Sequence, residues 1–351
     1  MNAPVRTSPS IPLPAEGFAA DQAAARPEDA FAQLFATIAS GAADRDRDRV
    51  HPYEIIDLIR AARLGAVRLS PAEGGRGVSL RQLIGIVIRL AAADPNVAHA
   101  LRNHFSFVDR FVRFPHAPHR EKWVGRIAGG AIVGLGNTEL SSPKIGGSPY
   151  ATSLTPDGDG FRLNGVKYYS TGTLYADLVI IRATAPGGVG ASAIIPTDRE
   201  GVELVDDWDG AGQRLTGSGT THLRDVRVEA DEIVYDAADV GYGQPYSNTL
   251  AQLLVTSIVA GILRNVLGDA VDLLGGRKDR HFYYARTERA SDDPQLHQIV
   301  GEISSAAFAA EALVLASADA LDQLADARER GLPDEALARE AAASAAKTKL
   351  I

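Results

Sequence analysis

The sequence predicts an α+β protein in which helices come first, a β-barrel follows and a helix bundle closes the order. Apolar residues recur at helical spacing from Asp29 to Arg126, strand patterns occupy Ala131 to Val234, and long helical stretches return from Leu250. These changes of period divide the chain into four predicted segments: a flexible leader at 1–25, a helical domain at 26–130, a β-barrel at 131–240 and an incomplete helix bundle at 241–351.

The composition indicates a soluble, cytoplasmic protein. The chain has 351 residues, enough for a large core, and no cysteine, so disulfides and thiolate metal sites are excluded. No run approaches the roughly 18 to 20 apolar residues of a spanning helix, which predicts no membrane insertion. A net charge of -8 argues against nucleic acid as a partner. The histidines, such as His116 and His119, lack converging carboxylates, so we predict no metal site.

The best-marked helix of the first segment begins at Asp94-Pro95. Asp94 is an N-cap acid, and Pro95 occupies the first helical position, where a backbone N–H would have no partner within the helix. Its apolar residues predict a core-facing side. His99 and Asn103 lie one turn apart at the boundary of that side. His104 flanks the apolar face, and we interpret it as a core histidine.

Turn residues separate the strands of the middle segment. Pro156 to Gly160 has the composition of a tight turn, and the Asn164-Gly165 pair predicts a two-residue hairpin.

In the last segment, helical patterns cover 250–274, 294–330 and 333 onward. The stretch from Glu335 to Ile351 has no cap or closing element, so we expect a chain cut in mid-helix.

Four local motifs occur in an order that is specific as a set. They are Pro71-Ala-Glu-Gly-Gly-Arg-Gly77, Gly136-Asn-Thr-Glu139, Leu163-Asn-Gly-Val-Lys-Tyr-Tyr-Ser-Thr-Gly172 and Gly212-Gln-Arg-Leu-Thr-Gly-Ser-Gly-Thr220. In this order they resemble the acyl-CoA dehydrogenase superfamily, although the first motif is one residue shorter than the family's. The resemblance implies the family's fold of helical domain, β-barrel and helix bundle.

The middle segment resembles the flavin monooxygenase branch, which includes dibenzothiophene monooxygenases and related sulfur-acquisition oxidoreductases. The resemblance depends on Asp206-Asp-Trp208, Gly212-x-Arg214, Ser218-Gly-Thr220 and Asn137. It implies a two-component monooxygenase that receives reduced FMN, or FAD, from a separate flavin reductase. Dioxygen and a small apolar molecule, such as an organosulfur compound, would be its substrates. The family also implies a homo-oligomer, expected here to be a tetramer.

The resemblance assigns the site residues by position. Thr171 and Asn137 stand where the family contacts the flavin, and together with His99 they are the catalytic candidates. Without the resemblance, the hydroxyls of Ser170 and Thr171 would be interpreted as bonding the neighbouring backbone at a strand edge, and Asn137 as an ordinary turn residue. The complete set of cofactor-binding candidates is Asn103, Asn137, Thr138, Ser141, Ser142, Lys167, Tyr169, Ser170, Thr171, Trp208 and Arg280.

Three of these candidates carry open alternatives. Trp208 could cover the flavin or belong to the core. Arg280 stands where relatives carry an arginine that reaches a neighbouring subunit's flavin phosphate, but Arg277 and Lys278 compete for that role. At Asn103 the monooxygenase relatives carry a tyrosine, so an amide replaces a phenol that could donate a proton.

Two rival functions remain open at the level of sequence. One is an FAD-dependent acyl-CoA dehydrogenase, whose carboxylate base in the family lies in the C-terminal segment beyond this sequence. The other is a truncated family member without catalysis, for which the uncapped final helix is the motivation.

Overall fold

The computed structural model describes residues 29–112, 117–140, 149–236, 246–277 and 287–329, with isolated positions at 27, 284, 336 and 339. Helices precede and follow a sheet, in the order that the sequence predicts. The helices are α1 (Ala32–Ala39), α2 (Ala42–Asp48), α3 (Tyr53–Ala61), α4 (Leu80–Ala93), α5 (Pro95–Phe107), α6 (Arg120–Ala128), α7 (Tyr246–Gly276) and α8 (Pro294–Glu329). A π-helical turn at Val108–Val112 continues α5.

Helix α5 begins as the sequence predicts. The Asp94 carboxylate accepts hydrogen bonds from the backbone N–H groups of Asn96 and Val97, and Pro95 occupies the first helical position. The cap stabilises the helix start by about 1 kcal/mol. Arg45 lies 2.9 Å from the same carboxylate, so the cap also joins α5 to α2.

The strands form one continuous eight-stranded sheet. They are β1 (Val133–Gly136), β2 (Ser153–Asp157), β3 (Gly160–Lys167), β4 (Leu178–Thr184), β5 (Gly190–Pro196), β6 (Val202–Leu204), β7 (Thr221–Val228) and β8 (Ile233–Tyr235). The order is β6-β7-β3-β2-β4-β5-β8, and β1 pairs with β4 in parallel. Among the described residues β6 and β8 lie at opposite ends of this order, so closure into a barrel stays a prediction.

One of the two predicted turns is correct and the other is wrong. Asp157 pairs with Gly160 across the turn between β2 and β3, as the sequence predicts. Asn164-Gly165 does not form a hairpin, because it lies inside β3, where the register against β7 shifts. The Asn164 side chain there accepts a hydrogen bond from the backbone N–H of Asp225. The pair therefore forms a β-bulge, an alternative use of the same residue types.

The helices before and after the sheet share one core. Helix α7 packs against α4 and α5, while α8 packs against α4 and α7. Buried residues from both parts, including Leu83, Val87, Leu253 and Val314, form a single hydrophobic cluster. The first and last helical segments are therefore joined by packing, although residues 129–245 separate α6 from α7 in the chain. The predicted domain boundaries themselves stay predictions.

Two long helical stretches, Thr249–Gly276 and Pro294–Asp326, are apolar enough by length and composition to cross a membrane. The core helix of a soluble protein passes the same test, and α7 contributes Leu250, Leu253 and Leu254 to the shared core. The two stretches are therefore weak support for membrane insertion and are consistent with the predicted soluble protein.

Candidate active site

The segment from Lys167 to Gly172, directly after β3, is held from two sides. Tyr168 donates its N–H to the carbonyl oxygen of Thr138 at 2.9 Å, which ties the segment to the end of β1. On the other side, the amide nitrogen of Asn103 on α5 donates to the Thr171 carbonyl oxygen at 3.2 Å. Gly172 has φ +81°, and a Cβ there would lie 2.3 Å from the Ala100 carbonyl oxygen. Only glycine permits this close approach of α5.

A chain of hydroxyl groups surrounds Thr171. Ser218 donates its hydroxyl to Thr171 Oγ1 at 3.0 Å, and Thr216 Oγ1 lies 2.7 Å from Ser218 Oγ. The Thr171 hydroxyl has only one acceptor in the described chain, the Tyr169 carbonyl oxygen at 3.4 Å. This bond is long, so the Thr171 proton is available to a ligand. The side chain is 6% exposed, which leaves a small accessible edge.

Trp208 lies over the same segment. Its ring stands edge-on to Tyr169, with centroids 6.0 Å apart and planes at 89°. The indole N–H donates to the Gln213 carbonyl oxygen at 2.8 Å, which fixes the ring. Trp208 is half-buried and Tyr169 is exposed, so Trp208 is not a core tryptophan and the pair offers an aromatic surface. Tyr169 adopts φ +55°, a conformation that turns the chain sharply after β3.

His99 joins this group through Gln213. The His99 Nδ1 atom lies 3.1 Å from the Gln213 side-chain oxygen. Burial, together with the nearby Arg102 charge, lowers the pKa of His99 to about 4, so the imidazole is neutral near pH 7. Because a carboxamide oxygen only accepts, Nδ1 carries the proton, and Nε2 is left as a proton acceptor.

Asn137 directly follows β1 and precedes Thr138, which pairs with Tyr168 of the segment. Its side-chain oxygen accepts the Tyr150 hydroxyl at 3.0 Å, which orients the amide. The amide nitrogen has no hydrogen-bond partner in the part of the chain that the structure describes, and the residue is half-buried. Asn137 therefore presents amide N–H donors that have no partner among the described residues, one position before Thr138, which holds Tyr168.

Lys167 has a different place from the one predicted. Its side chain is fully buried, and its ammonium donates to the Glu139 carboxylate at 2.7 Å. It also lies 4.4 Å from the centre of the Tyr150 ring. An ammonium that is enclosed and paired in this way holds β3 to the chain after β1. We therefore correct its predicted role from cofactor contact to internal support.

Two more predicted site residues, Asn103 and Ser170, lie beneath the surface of the site, and His104 lies in the core. Asn103 is 5% exposed, and its bond to the Thr171 carbonyl makes it a support for that segment. Ser170 is fully buried, and its hydroxyl has no hydrogen-bond partner in the described chain. His104 donates from Nε2 to the Gly65 carbonyl oxygen at 2.9 Å and is completely buried, which confirms the interpretation as a core histidine.

Ser141, Ser142 and Arg280 lie outside the described residues, so their assignment stays a prediction. Sequence reasoning did not single out Gln213, Ser218 or Glu139, which together orient His99, Thr171 and Lys167. Each of the three lies in one of the four local motifs, at 136–139 or at 212–220. The motif located them, but only the fold shows what they contact.

Among the proteins that are similar to this chain over most of its length are two monooxygenases and a solved flavin-bound structure. Dibenzothiophene monooxygenase from Rhodococcus qingshengii is 27% identical over 331 residues, which cover 88% of this chain and 78% of the relative. The probable FMNH2-dependent monooxygenase SfnC from Pseudomonas putida is 26% identical over 315 residues, covering 86% and 71%. The crystal structure of FMN-bound TdsC from Paenibacillus sp. A11-2 has a TM-score of 0.79 and 26% identity, covering 92% and 82%. No protein-family model matches the chain.

The helices, sheet and long C-terminal helices match the acyl-CoA dehydrogenase fold. Within that class, the homologues of this chain include dibenzothiophene monooxygenases and the probable FMNH2-dependent monooxygenase SfnC, as its motifs predict, and also a putative acyl-CoA dehydrogenase. Among the described residues, no group of three or more potential metal ligands comes together.

Proposed function

We propose that this protein is a reduced-FMN-dependent two-component monooxygenase that oxygenates an organosulfur compound. The observation that carries the proposal concerns residues 168–171, which include Thr171. Tyr168 pairs with Thr138, the neighbour of Asn137, and Tyr169 contacts Trp208. Relatives named as dibenzothiophene and FMNH2-dependent monooxygenases support it, as does the similarity to FMN-bound TdsC. Reduced flavin, when bound, supplies the electrons that activate dioxygen.

The donor set fits the pyrimidine edge and N5 of a flavin. The Asn137 amide and the Thr171 hydroxyl each offer a hydrogen-bond donor that the described chain leaves free or weakly bound. Trp208 and Tyr169 add an aromatic surface that would cover the ring system and exclude water. Asn103 and Lys167 would act behind this surface by holding the two segments that carry it.

Thr138, Ser141, Ser142 and Arg280 complete the proposal. Thr138 supplies the backbone carbonyl that holds Tyr168. Ser141 and Ser142 follow in the chain and would extend the hydrogen-bonding wall, while the Arg280 guanidinium of an adjacent subunit would bind the flavin phosphate. The role of Arg280 requires a homo-oligomer, and we propose a tetramer.

His99 would act on the substrate side. Its neutral ring holds a proton at Nδ1 against Gln213 and leaves Nε2 to accept a hydrogen bond or a proton. A neutral imidazole also avoids an unpaired buried charge in a site that must exclude water. We further propose that the protein works in the cytoplasm with a separate flavin reductase and that its helical, β and bundle segments function as the three domains predicted from the sequence.

The test is incorporation of labelled oxygen. The protein is mixed with FMN, NADH and a purified flavin reductase under 18O2, and dibenzothiophene and methanesulfinate are each supplied. Mass spectrometry should find one 18O atom added per turnover, with no product when the reductase is omitted. Oxidation of an acyl-CoA thioester by an artificial electron acceptor, without 18O in the product, would instead establish the dehydrogenase. No reaction in either assay would favour a non-catalytic protein.

A further inference from the structure

Arg102 is a half-buried cation for which the described residues supply no hydrogen-bond or ion-pair partner. It lies on α5, one turn after His99, and its Nε atom is buried without any hydrogen bond. No ion pair or hydrogen bond to Arg102 occurs within the described residues. Three other arginines with little exposed surface differ, because Arg68 pairs with Asp109, Arg182 with Asp236 and Arg199 with Glu232.

A half-buried guanidinium with no opposite charge beside it is costly to the folded protein. Taking a charge out of water disfavours folding unless hydrogen bonds or an opposite charge compensate. Burial lowers the pKa of Arg102, and no neighbouring acid opposes that shift. Arginine nevertheless stays protonated in proteins, so the charge persists. Groups that carry such a cost are concentrated at functional sites.

The position of Arg102 connects it with the candidate active site. His99 and Arg102 are three residues apart on one helix, a spacing that puts both on the same side. Their electrostatic interaction contributes to the low pKa of His99, so the two groups share one environment. Pro95, His99, Arg102 and Ser106 are all half-buried along this side of α5, whereas neighbouring positions such as Leu101 and Phe105 are fully buried.

We propose that Arg102 binds an oxyanion group of the substrate, such as a sulfinate, sulfonate or carboxylate, and so positions its reacting atom beside His99. This inference rests on the proposed function and narrows its substrate class to molecules with one anionic end. A guanidinium offers a planar fork of N–H donors that matches two oxygens of such a group. The Ser106 hydroxyl, one turn further along the same side, could add a third donor.

The flavin phosphate is a second anion that Arg102 could bind in the same way. Equilibrium binding measurements distinguish the flavin phosphate from a substrate oxyanion. Wild type, Arg102→Met and Arg102→Lys are titrated with butane-1-sulfinate, with neutral butyl methyl sulfoxide, with FMN and with riboflavin, which lacks the phosphate. Arg126→Met, at an exposed position on α6, is the control for the same change of charge. These measurements need no turnover, so they can be interpreted even if the oxygenation assay fails.

We expect Arg102→Met to weaken sulfinate binding roughly tenfold to a hundredfold, the range of a charge-assisted contact, with FMN, riboflavin and sulfoxide binding unchanged. Arg102→Lys should fall between, because an ammonium keeps the charge but loses the fork. A loss of FMN affinity with riboflavin unaffected would assign Arg102 to the flavin phosphate and overturn the proposal. Equal binding of sulfinate by all variants would also overturn it.

Two readouts exclude a merely structural role. If the empty site leaves Arg102 unpaired, Arg102→Met should raise the thermal stability of the ligand-free protein. A drop in stability would mean that an acidic group from elsewhere pairs with it, which contradicts the proposal. Removing the charge should also raise the pKa of His99, measured by NMR of the imidazole, since Arg102 now lowers it. An unchanged His99 pKa would show that the two groups do not share one site.

Discussion

Lys167 and Glu139 form an ion pair of 2.7 Å in which neither side chain reaches solvent. Burial by itself would raise the pKa of Glu139, but hydrogen bonds from Lys167 and from the backbone of Thr152 and Ala151 reverse this and lower it. The pair joins the end of β3 to the chain that follows β1, and these two segments carry Thr171 and Asn137. The geometry of the proposed flavin wall therefore depends on it.

Removing one partner of this ion pair should destabilise the folded protein. Lys167→Met leaves a carboxylate buried without its cation, and we expect a loss of about 3 to 5 kcal/mol in the free energy of unfolding, measured with urea. Lys167→Met with Glu139→Gln removes both charges and should recover most of that loss, since the backbone bonds to residue 139 survive in part. A single variant as stable as wild type would mean that the pair is solvated.

Thr171→Val tests the hydroxyl that the flavin would meet. Valine keeps the shape of the side chain and removes both the donor and the acceptor for Ser218, so we expect a stability loss of about 1 kcal/mol but a much larger loss of turnover. Thr173→Val is the matched control, because its buried hydroxyl donates to the Ser170 carbonyl and faces no proposed ligand. Equal activity losses in the two variants would remove the role assigned to Thr171.

His104 should make the protein sensitive to acid. Burial lowers its pKa from about 6.5 to about 4, so between these values the unfolded chain binds the proton and the folded chain does not. The contribution of neutral His104 to the free energy of unfolding is complete above pH 6.5 and is lost as the pH falls towards 4. From pH 7.5 to 5.0 this histidine alone should cost about 2 kcal/mol of unfolding free energy.

The variant His104→Gln retains an N–H donor for the Gly65 carbonyl and has no group that titrates in this range. Urea unfolding at the two pH values should therefore show a smaller decrease for this variant than for wild type. Parallel decreases in the two proteins would mean that the proton binds elsewhere.

Assembly should depend on the outer faces of α7 and α8. Val259 is 46% exposed, Leu273 62% and Phe308 76%, which leaves large apolar surfaces on both helices. We expect light scattering to give the mass of a tetramer, and Val259→Glu with Phe308→Glu to dissociate it. Gln252→Glu adds the same type of charge at an exposed polar position of α7 and should have no effect. A monomeric wild type would refute the assembly and, with it, the role of Arg280.

Local sequence predicted those features that neighbouring residues determine. The start of α5 depends on Asp94 and Pro95, which are adjacent, and the cap forms as expected. The burial of His104 followed from its place beside an apolar face. By contrast, Asn164-Gly165 has a strong local preference for a turn, yet it lies inside β3 and forms a bulge in the pairing with β7. Here tertiary context overrides propensity.

The contacts that build the site join residues far apart in the chain, and local patterns do not contain them. Lys167 and Glu139 are 28 positions apart and meet through the register of the sheet, while His99 and Gln213 are 114 apart. The motifs contain Lys167 but do not indicate that its side chain points inward. That the described residues supply no partner for Arg102 likewise follows only from the fold.

Gln213→Glu should change the protonation of His99 in a direction that the geometry fixes. The substituted carboxylate would lie near Nδ1, where the Gln213 oxygen now lies at 3.1 Å, and a negative charge favours the imidazolium. The pKa of His99 should therefore rise from about 4 by roughly 1 to 3 units. Gln213→Leu is the neutral control, which removes the hydrogen bond without adding charge.

The measurement is the pH dependence of kcat/KM together with NMR titration of the His99 ring. If neutral His99 is required, the acidic limb of the profile should move to higher pH in Gln213→Glu by the same amount as the ring pKa. In Gln213→Leu the limb should move to lower pH, opposite to Gln213→Glu, because the lost hydrogen bond is one that raises the pKa of His99, and kcat should fall because the ring loses the partner that orients it. A ring pKa that rises without any movement of the limb would show that His99 takes no part in the reaction, since its charge would then be irrelevant to turnover.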